Sequence, residues 1–166
     1  MSIVAMIFVV GIVAMRSGDD EAKFRESITQ VEGFSKRARS LSLMQRRSYQ
    51  LVFDEFGITL EPVFGDPLEE EEEELSLFDQ DEEIQRPQRF EMIRDRFDLP
   101  EGMTLEVKGW NQDWLVLERD NTFVWEFRPE GLVEPVEVRI RAENGWIKHR
   151  YNPLTGAMAE ERYEFR

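Results

Sequence analysis

Side chains suited to acid-base or covalent chemistry are few in this chain of 166 residues, which contains one histidine and no cysteine. The histidine, His149, falls in a predicted strand, and the sequence organises no serine or carboxylate constellation around it. A general base needs a partner within hydrogen-bond reach, so we interpret His149 as a structural side chain. Nucleophile motifs, phosphate-binding loops and metal-ligand spacings are also absent from the sequence. The sequence therefore predicts no enzyme, no catalytic residue and no cofactor.

A run of six glutamates at residues 69–74 has the carboxylate oxygens that calcium, a hard cation, takes as ligands. Calcium loops alternate their ligands with glycine and backbone carbonyls, and a six-glutamate run lacks that form. Between Asp66 and Glu83 the chain has eleven acids and no base. We therefore expect a solvated low-complexity loop over residues 66–83, with calcium binding as the less favoured alternative.

Two further sets of side chains have both a binding interpretation and a plainer one. The four tryptophans could form a sugar-binding aromatic face, but we expect them to fill the core of a small head; they are Trp110, Trp114, Trp125 and Trp146. Five cations could bind an acidic neighbour, such as the acidic loop of another subunit, although the solvated face of a helix is the favoured interpretation. These cations are Lys36, Arg37, Arg39, Arg46 and Arg47.

The composition indicates one globular head and argues against nucleic acid as a partner. The net charge of -14 gives no basic face for phosphate contacts. Without cysteine there is neither a disulfide framework nor a thiolate metal site. A hydrophobic content of 41% is enough to fill one core.

The elements that would position these groups begin with an apolar run at residues 1–15. A bilayer core needs about 20 apolar residues in helical form, so the run is short for a membrane span. We predict a transmembrane or filament-core segment, with a cleaved signal peptide as the alternative. Its predicted membrane and assembly residues are Ile3, Val4, Ile7, Phe8, Val10, Gly11, Ile12 and Val13.

An amphipathic stretch follows over residues 16–48, where apolar side chains recur at helical spacing. The stripe predicted to pack on the head is Phe24, Ile28, Val31, Phe34, Ala38, Leu41 and Met44. No proline occurs before Pro62, so we expect one helix from Met1 to about Arg47.

Period-2 patterning begins at Tyr49 and predicts an antiparallel β-rich head over residues 49–166. Residues 49–60 favour a β-hairpin, and the dipeptide Asn144-Gly145 favours another. Residues 84–99 are ambiguous, with apolar side chains at helical spacing, so a short helix is considered there. Further strands are predicted at 103–109, 115–118, 123–127, 136–142, 146–151 and 162–165. The predicted fold class is α+β. A long N-terminal helix, whose first part is a membrane anchor and whose second part is amphipathic, packs on one antiparallel sheet.

Three stretches, in this order, resemble the type IV pilin and type II secretion pseudopilin superfamily, most closely the GspH/FimT-like minor pseudopilins. They are residues 40–54 (SLSLMQRRSYQLVFD), 123–131 (FVWEFRPEG) and 152–158 (NPLTGAM). The resemblance implies a structural subunit with a single inner-membrane pass and a periplasmic head. Its implied partners are other pilin or pseudopilin subunits, the inner-membrane assembly platform and membrane lipid.

Residues 1–15 depart from the family pattern, because the basic leader, the glycine before the cleaved bond and the glutamate after it are missing. Our hypothesis is that Met1 is an internal methionine and that the reading frame starts upstream. The resemblance further implies that the apolar run exchanges lipid for neighbouring helices during assembly, with small residues allowing close approach. A membrane-tethered or secreted ligand-binding β-domain is the alternative function.

Overall fold

The structure, a computed structural model, describes the backbone of residues 2–63 and 93–165, and the side chains of residues 21–63 and 93–165. The predicted membrane and filament contacts of residues 1–15, from Ile3 to Val13, lie outside the described side chains. The predicted acidic loop at 66–83 also lies outside the described residues.

One helix precedes nine strands in the described chain. Helix α1 spans Ser2–Gln45. The strands are β1 Tyr49–Asp54, β2 Gly57–Pro62, β3 Asp95–Asp98, β4 Thr104–Lys108, β5 Leu115–Val116, β6 Phe123–Phe127, β7 Glu137–Ala142, β8 Gly145–Tyr151 and β9 Met158–Phe165.

The first sheet has the order β3-β2-β1-β6 and is antiparallel throughout. The predicted hairpin at residues 49–60 is confirmed as β1 and β2, since Phe53 pairs with Ile58 across a tight turn. The Asp54 carboxylate accepts hydrogen bonds from the backbone N–H groups of Phe56 and Gly57, both at 2.8 Å, and so fixes that turn.

The second sheet has the order β5-β4-β7-β8-β9 and is also antiparallel. The predicted Asn144-Gly145 hairpin is confirmed as β7 and β8, with Ala142 paired to Gly145. The two turn residues are therefore Glu143 and Asn144, one position earlier than the dipeptide suggests. A Cβ on Gly145 would lie 2.3 Å from the Glu164 carbonyl oxygen, so the close approach of β9 requires glycine here.

One hydrophobic core joins the two sheets and the helix. Along strands such as β1 and β7, every second residue is apolar and faces the core, on the inner face of its sheet. Helix α1 packs against strands of both sheets. Trp125 of β6 is fully buried, and its ring centroid lies 4.7 Å from that of Phe127 and 5.3 Å from that of Tyr151 of β8, in tilted arrangements. Its Nε1–H donates a hydrogen bond to the Glu134 carbonyl oxygen. This indole therefore ties the first sheet to the second.

The predicted fold class, a long N-terminal helix that is partly a membrane anchor and packs on one antiparallel sheet, is wrong in two respects: no membrane-anchor helix is found among the described residues, and the head has two sheets. The chain passes from the first sheet to the second between β3 and β4, through a turn in which Gly102 has φ of 80°. The part of α1 with described side chains, residues 21–45, alternates its apolar stripe with charged residues such as Lys23 and Arg25. Among the described residues, no helix combines the length and the apolar character needed to cross a membrane.

The short helix considered for residues 84–99 is also wrong where the structure describes this stretch. Residues 95–98 form edge strand β3, in which Phe97 pairs with Ile58 and Arg96 with Thr59. Arg96 also reaches Asp54 at 3.0 Å and Asp98 at 2.8 Å. Pairing with β2 thus overrides the helical spacing of the apolar residues. The remainder, residues 84–92, lies outside the described residues.

Candidate assembly site

The candidate site for assembly is the face of α1 that packs on the head, because it links the N-terminal segment to the β-structure. Six members of the predicted stripe are buried: Phe24, Ile28, Val31, Phe34, Ala38 and Leu41. Burial of a large apolar side chain contributes about 1.5–3 kcal/mol, so the five larger ones together contribute about 10 kcal/mol before ordering costs are deducted. The helix is therefore firmly fixed to the head.

Met44, the last member of the predicted stripe, is instead 71% exposed. At about 100° per residue, Met44 lies about 160° around the helix from the buried Phe24, so it faces away from the core. Gln45 turns toward the head, and the Tyr49 hydroxyl donates a hydrogen bond to its Oε1 at 2.6 Å. The helix ends there, and Arg46 adopts φ of 52°.

At the other end of this face, the side chains of residues 24 and 25 meet the last strand, β9. The ring centroids of Phe24 and Phe165 are 5.3 Å apart. Arg25 lies 5.0 Å from the ring centroid of Tyr163 and forms a salt bridge of 3.3 Å with Glu161. The segment before residue 21 therefore joins the head at the corner where β9 ends.

A buried polar group lies beneath the helix at this corner. His149 of β8 is 2% exposed, and its Nε2 lies 2.9 Å from Glu161 Oε2. The hydrogen bond from His149 holds the pKa of Glu161 below its usual range, and the charge of Arg25 acts in the same direction. Burial raises the pKa of the neighbouring Tyr151 well above its ordinary value.

The sequence gives no hint of this carboxylate partner, because Glu161 is on a different strand from His149. The two residues face each other in the register of β8 and β9, which a single sequence does not specify. In the described part of the chain, His149 Nδ1 and the Tyr151 hydroxyl have no hydrogen-bond partner. Since the imidazole is covered by the helix, the arrangement holds α1 in place and offers no open site for acid-base catalysis.

The five predicted cations of α1 and its end do not form one surface. Lys36 pairs with Glu32 at 2.6 Å, and Arg37 pairs with Asp95 at the start of β3. Two positions along a helix correspond to about 200°, so Arg39 projects from the side opposite Arg37. Arg46 and Arg47 follow the last residue of the helix.

The tryptophans do not all fill the core, contrary to the sequence-based expectation. Trp125 alone of the four is buried, whereas Trp110 is 69% exposed and Trp114 and Trp146 are half-buried. Trp114 lies under the Arg139 guanidinium, 4.3 Å from ring centroid to Cζ. This contact is a cation–π interaction on the outer face of the second sheet.

The described surface offers little to a small ligand. Two open clefts of about 260 Å³ lie beside the β7–β8 turn, one lined by Arg141 and Trp146 and the other by Lys23 and Met103. Across the described residues, no group of three or more histidine or acidic side chains is placed to hold a metal ion. The acidic run at 69–74, the calcium alternative, lies outside them.

Comparison with protein-family models, with curated proteins and with solved structures finds no match to this chain.

Proposed function

We propose that this chain is a structural subunit, similar to a minor pseudopilin, of a type II secretion pseudopilus or a type IV pilus. The apolar run 1–15 attaches it to the inner membrane in a single pass, and the head lies in the periplasm. The subunit catalyses no reaction. It assembles with other pilin or pseudopilin subunits and with the inner-membrane assembly platform, and so helps folded proteins to cross the outer membrane.

The observation that carries this proposal is the attachment of α1 to the head. The buried stripe from Phe24 to Leu41 and the corner formed by Arg25, Glu161 and Phe165 fix the helix at both ends of the contact. A force applied to the segment before residue 21 is thus transmitted to the whole β-structure. An assembly subunit that is moved by its N-terminal segment needs this coupling.

The order of the sequence features supports the same function. An apolar run precedes the packed helix, and the pseudopilin-like stretches 123–131 and 152–158 each include a turn of the head. Gly131 and Gly156 of those turns have φ of 81° and 65°, backbone angles that residues with a side chain rarely adopt. The Gly156 carbonyl oxygen accepts a hydrogen bond from Ser35 of α1, and a Cβ on Gly131 would lie 3.3 Å from Leu43 of α1, so the turns that carry the resemblance lie against the helix.

A test of membrane attachment uses the full chain expressed with its N-terminus intact. Changing Ile7→Asp places a charge in the apolar run, at a cost of about 2.5–3.5 kcal/mol in a bilayer. We expect this variant to move from the membrane fraction to the soluble fraction. The matched control, Met44→Asp, alters an exposed side chain of the same helix and should remain in the membrane fraction until detergent is added.

If the unchanged chain and both variants are all found in the soluble fraction, the proposed attachment is wrong. A soluble protein shortened near Ala14 would instead support the secreted ligand-binding β-domain.

A further inference from the structure

An arginine that has no ionic partner among the described residues lies between two turns of the head. A Cβ on Gly131 would be 3.6 Å from Arg39 Nη2, and one on Gly156 would be 3.6 Å from Arg39 Cδ. The side chain of Arg39 therefore extends from α1 through the gap between these turns. The Nε of Arg39 is buried and has no hydrogen-bond acceptor among the described residues. The Arg39 side chain also has no carboxylate partner among them.

Exposed leucines surround this guanidinium. Leu43 on α1 is 42% exposed and would touch a Cβ on Gly131 at 3.3 Å. Leu132 and Leu154 are 63% and 58% exposed, and a backbone hydrogen bond of 3.0 Å from Val133 N to the Pro153 oxygen joins the turns that carry them. We call Arg39, Leu43, Leu132 and Leu154 the Arg39 surface.

The chemistry of the Arg39 surface specifies its occupant. A partly buried arginine that lacks a carboxylate bears a desolvation cost without the compensating ion pair. A carboxylate bonds a guanidinium through two parallel hydrogen bonds, and apolar side chains beside it would cover the leucines. The matching segment therefore carries acidic and large apolar residues next to each other.

This chain contains such a segment at residues 69–79 (EEEEEELSLFD), in which six glutamates precede Leu75, Leu77, Phe78 and Asp79. Its net negative charge complements Arg39, and its leucines and phenylalanine complement the exposed apolar rim.

The attachment points of the acidic segment favour a contact between copies. The chain resumes at β3, where Asp95 pairs with Arg37, and Arg37 projects about 200° around the helix from Arg39. The described chain after the acidic segment therefore begins on the opposite side of α1 from the Arg39 surface. We propose that the Arg39 surface binds residues 69–79 of a second copy of this chain. This inference deepens the proposed assembly function and rests on it for the nature of the partner.

Cross-linking between single-cysteine variants tests the contact, since the chain has no cysteine of its own. Full-length Leu132→Cys and Leu77→Cys chains are mixed in non-ionic detergent and treated with a short bismaleimide. The control replaces the first variant with Phe56→Cys, which is 64% exposed on the β1–β2 turn. We expect heterodimer from the first mixture at about tenfold the yield of the control. Adding Arg39→Gln should lower it about tenfold, as expected for loss of a charged hydrogen bond, whereas adding Lys36→Gln should leave it unchanged.

A synthetic peptide of residues 69–79 should compete with the cross-link, which tests the contact without altering the fold. Equal yields with Phe56→Cys, or no effect of Arg39→Gln or of the peptide, would overturn the inference. Placing Leu132→Cys and Leu77→Cys in one chain and obtaining only intramolecular product would overturn it in favour of a contact within one copy. If the chain stays in the membrane fraction but no cross-link forms, this contact is refuted while the proposed function is not.

Discussion

Removing the carboxylate of Glu161 should destabilise the attachment of α1 far more than removing its neighbour Glu160. Glu161 accepts from His149 at 2.9 Å and pairs with Arg25 at 3.3 Å, and it therefore bonds both a buried strand residue and the helix. Glu160 pairs with the exposed side chains of Arg150 and Arg162 on the same sheet. The two glutamates are adjacent in β9, so they form a matched pair for substitution.

The expected magnitude follows from these contacts. Glu161→Ala leaves the buried Nε2 of His149 without a partner, which costs about 1–3 kcal/mol. The Glu161 side chain is 28% exposed, so solvent screens the Arg25 pair and adds little. We expect a loss of about 2 kcal/mol in the free energy of unfolding, or about 4–8 °C in melting temperature for a chain of this size. Glu160→Ala should change the melting temperature little.

Thermal unfolding of the full chain in detergent, followed by far-ultraviolet circular dichroism, measures both variants. The pKa of Glu161 is lowered in the folded state, so its stabilisation is present above the ordinary value of 4.5 and is lost as the pH falls through the lowered pKa. The difference in melting temperature between the unchanged chain and Glu161→Ala should therefore be largest at pH 7 and should decrease below pH 4.5. Equal melting temperatures for the two variants at pH 7 would refute the reasoning.

Two further substitutions test the packing. Ile28→Ala should lower the free energy of unfolding by about 2–5 kcal/mol in chemical denaturation, whereas Met44→Ala should change it by less than about 0.5 kcal/mol; equal losses would show that the stripe is misassigned. Gly57→Ala should disrupt the pairing of β2 with β3, because its Cβ would lie 2.0 Å from the Phe97 carbonyl oxygen. Faster hydrogen exchange at the Phe97 amide checks this, and unchanged protection there would contradict the β2–β3 register.

Local features of the fold were predictable from the sequence. Alternating residues around a short polar turn identified the hairpin of β1 and β2, because both the pattern and the turn lie within fourteen residues of chain. Helical spacing identified the buried face from Phe24 to Leu41 for the same reason. The spacing of apolar residues predicts which side of a helix or strand is buried when that spacing repeats within the element itself.

Long-range pairing was not predictable in the same way. Strand β1 pairs with β6 through Leu51 and Trp125, and no local signal selects this partner over a neighbouring strand. The division into two sheets depends on that choice. The His149–Glu161 pair was missed because it depends on the β8–β9 register. Strand β3 was missed because its conformation depends on pairing with β2, whereas its apolar spacing favours a helix.

The central claim is that residues 1–15 remain on the subunit and connect its head to the membrane. The intact mass of the chain recovered from membranes of the cells that naturally produce it tests this claim most directly. Our account predicts a membrane-bound species whose mass includes residues 1–15. A mature species that begins near residue 15 would contradict it, because the apolar run would then be a cleaved signal peptide.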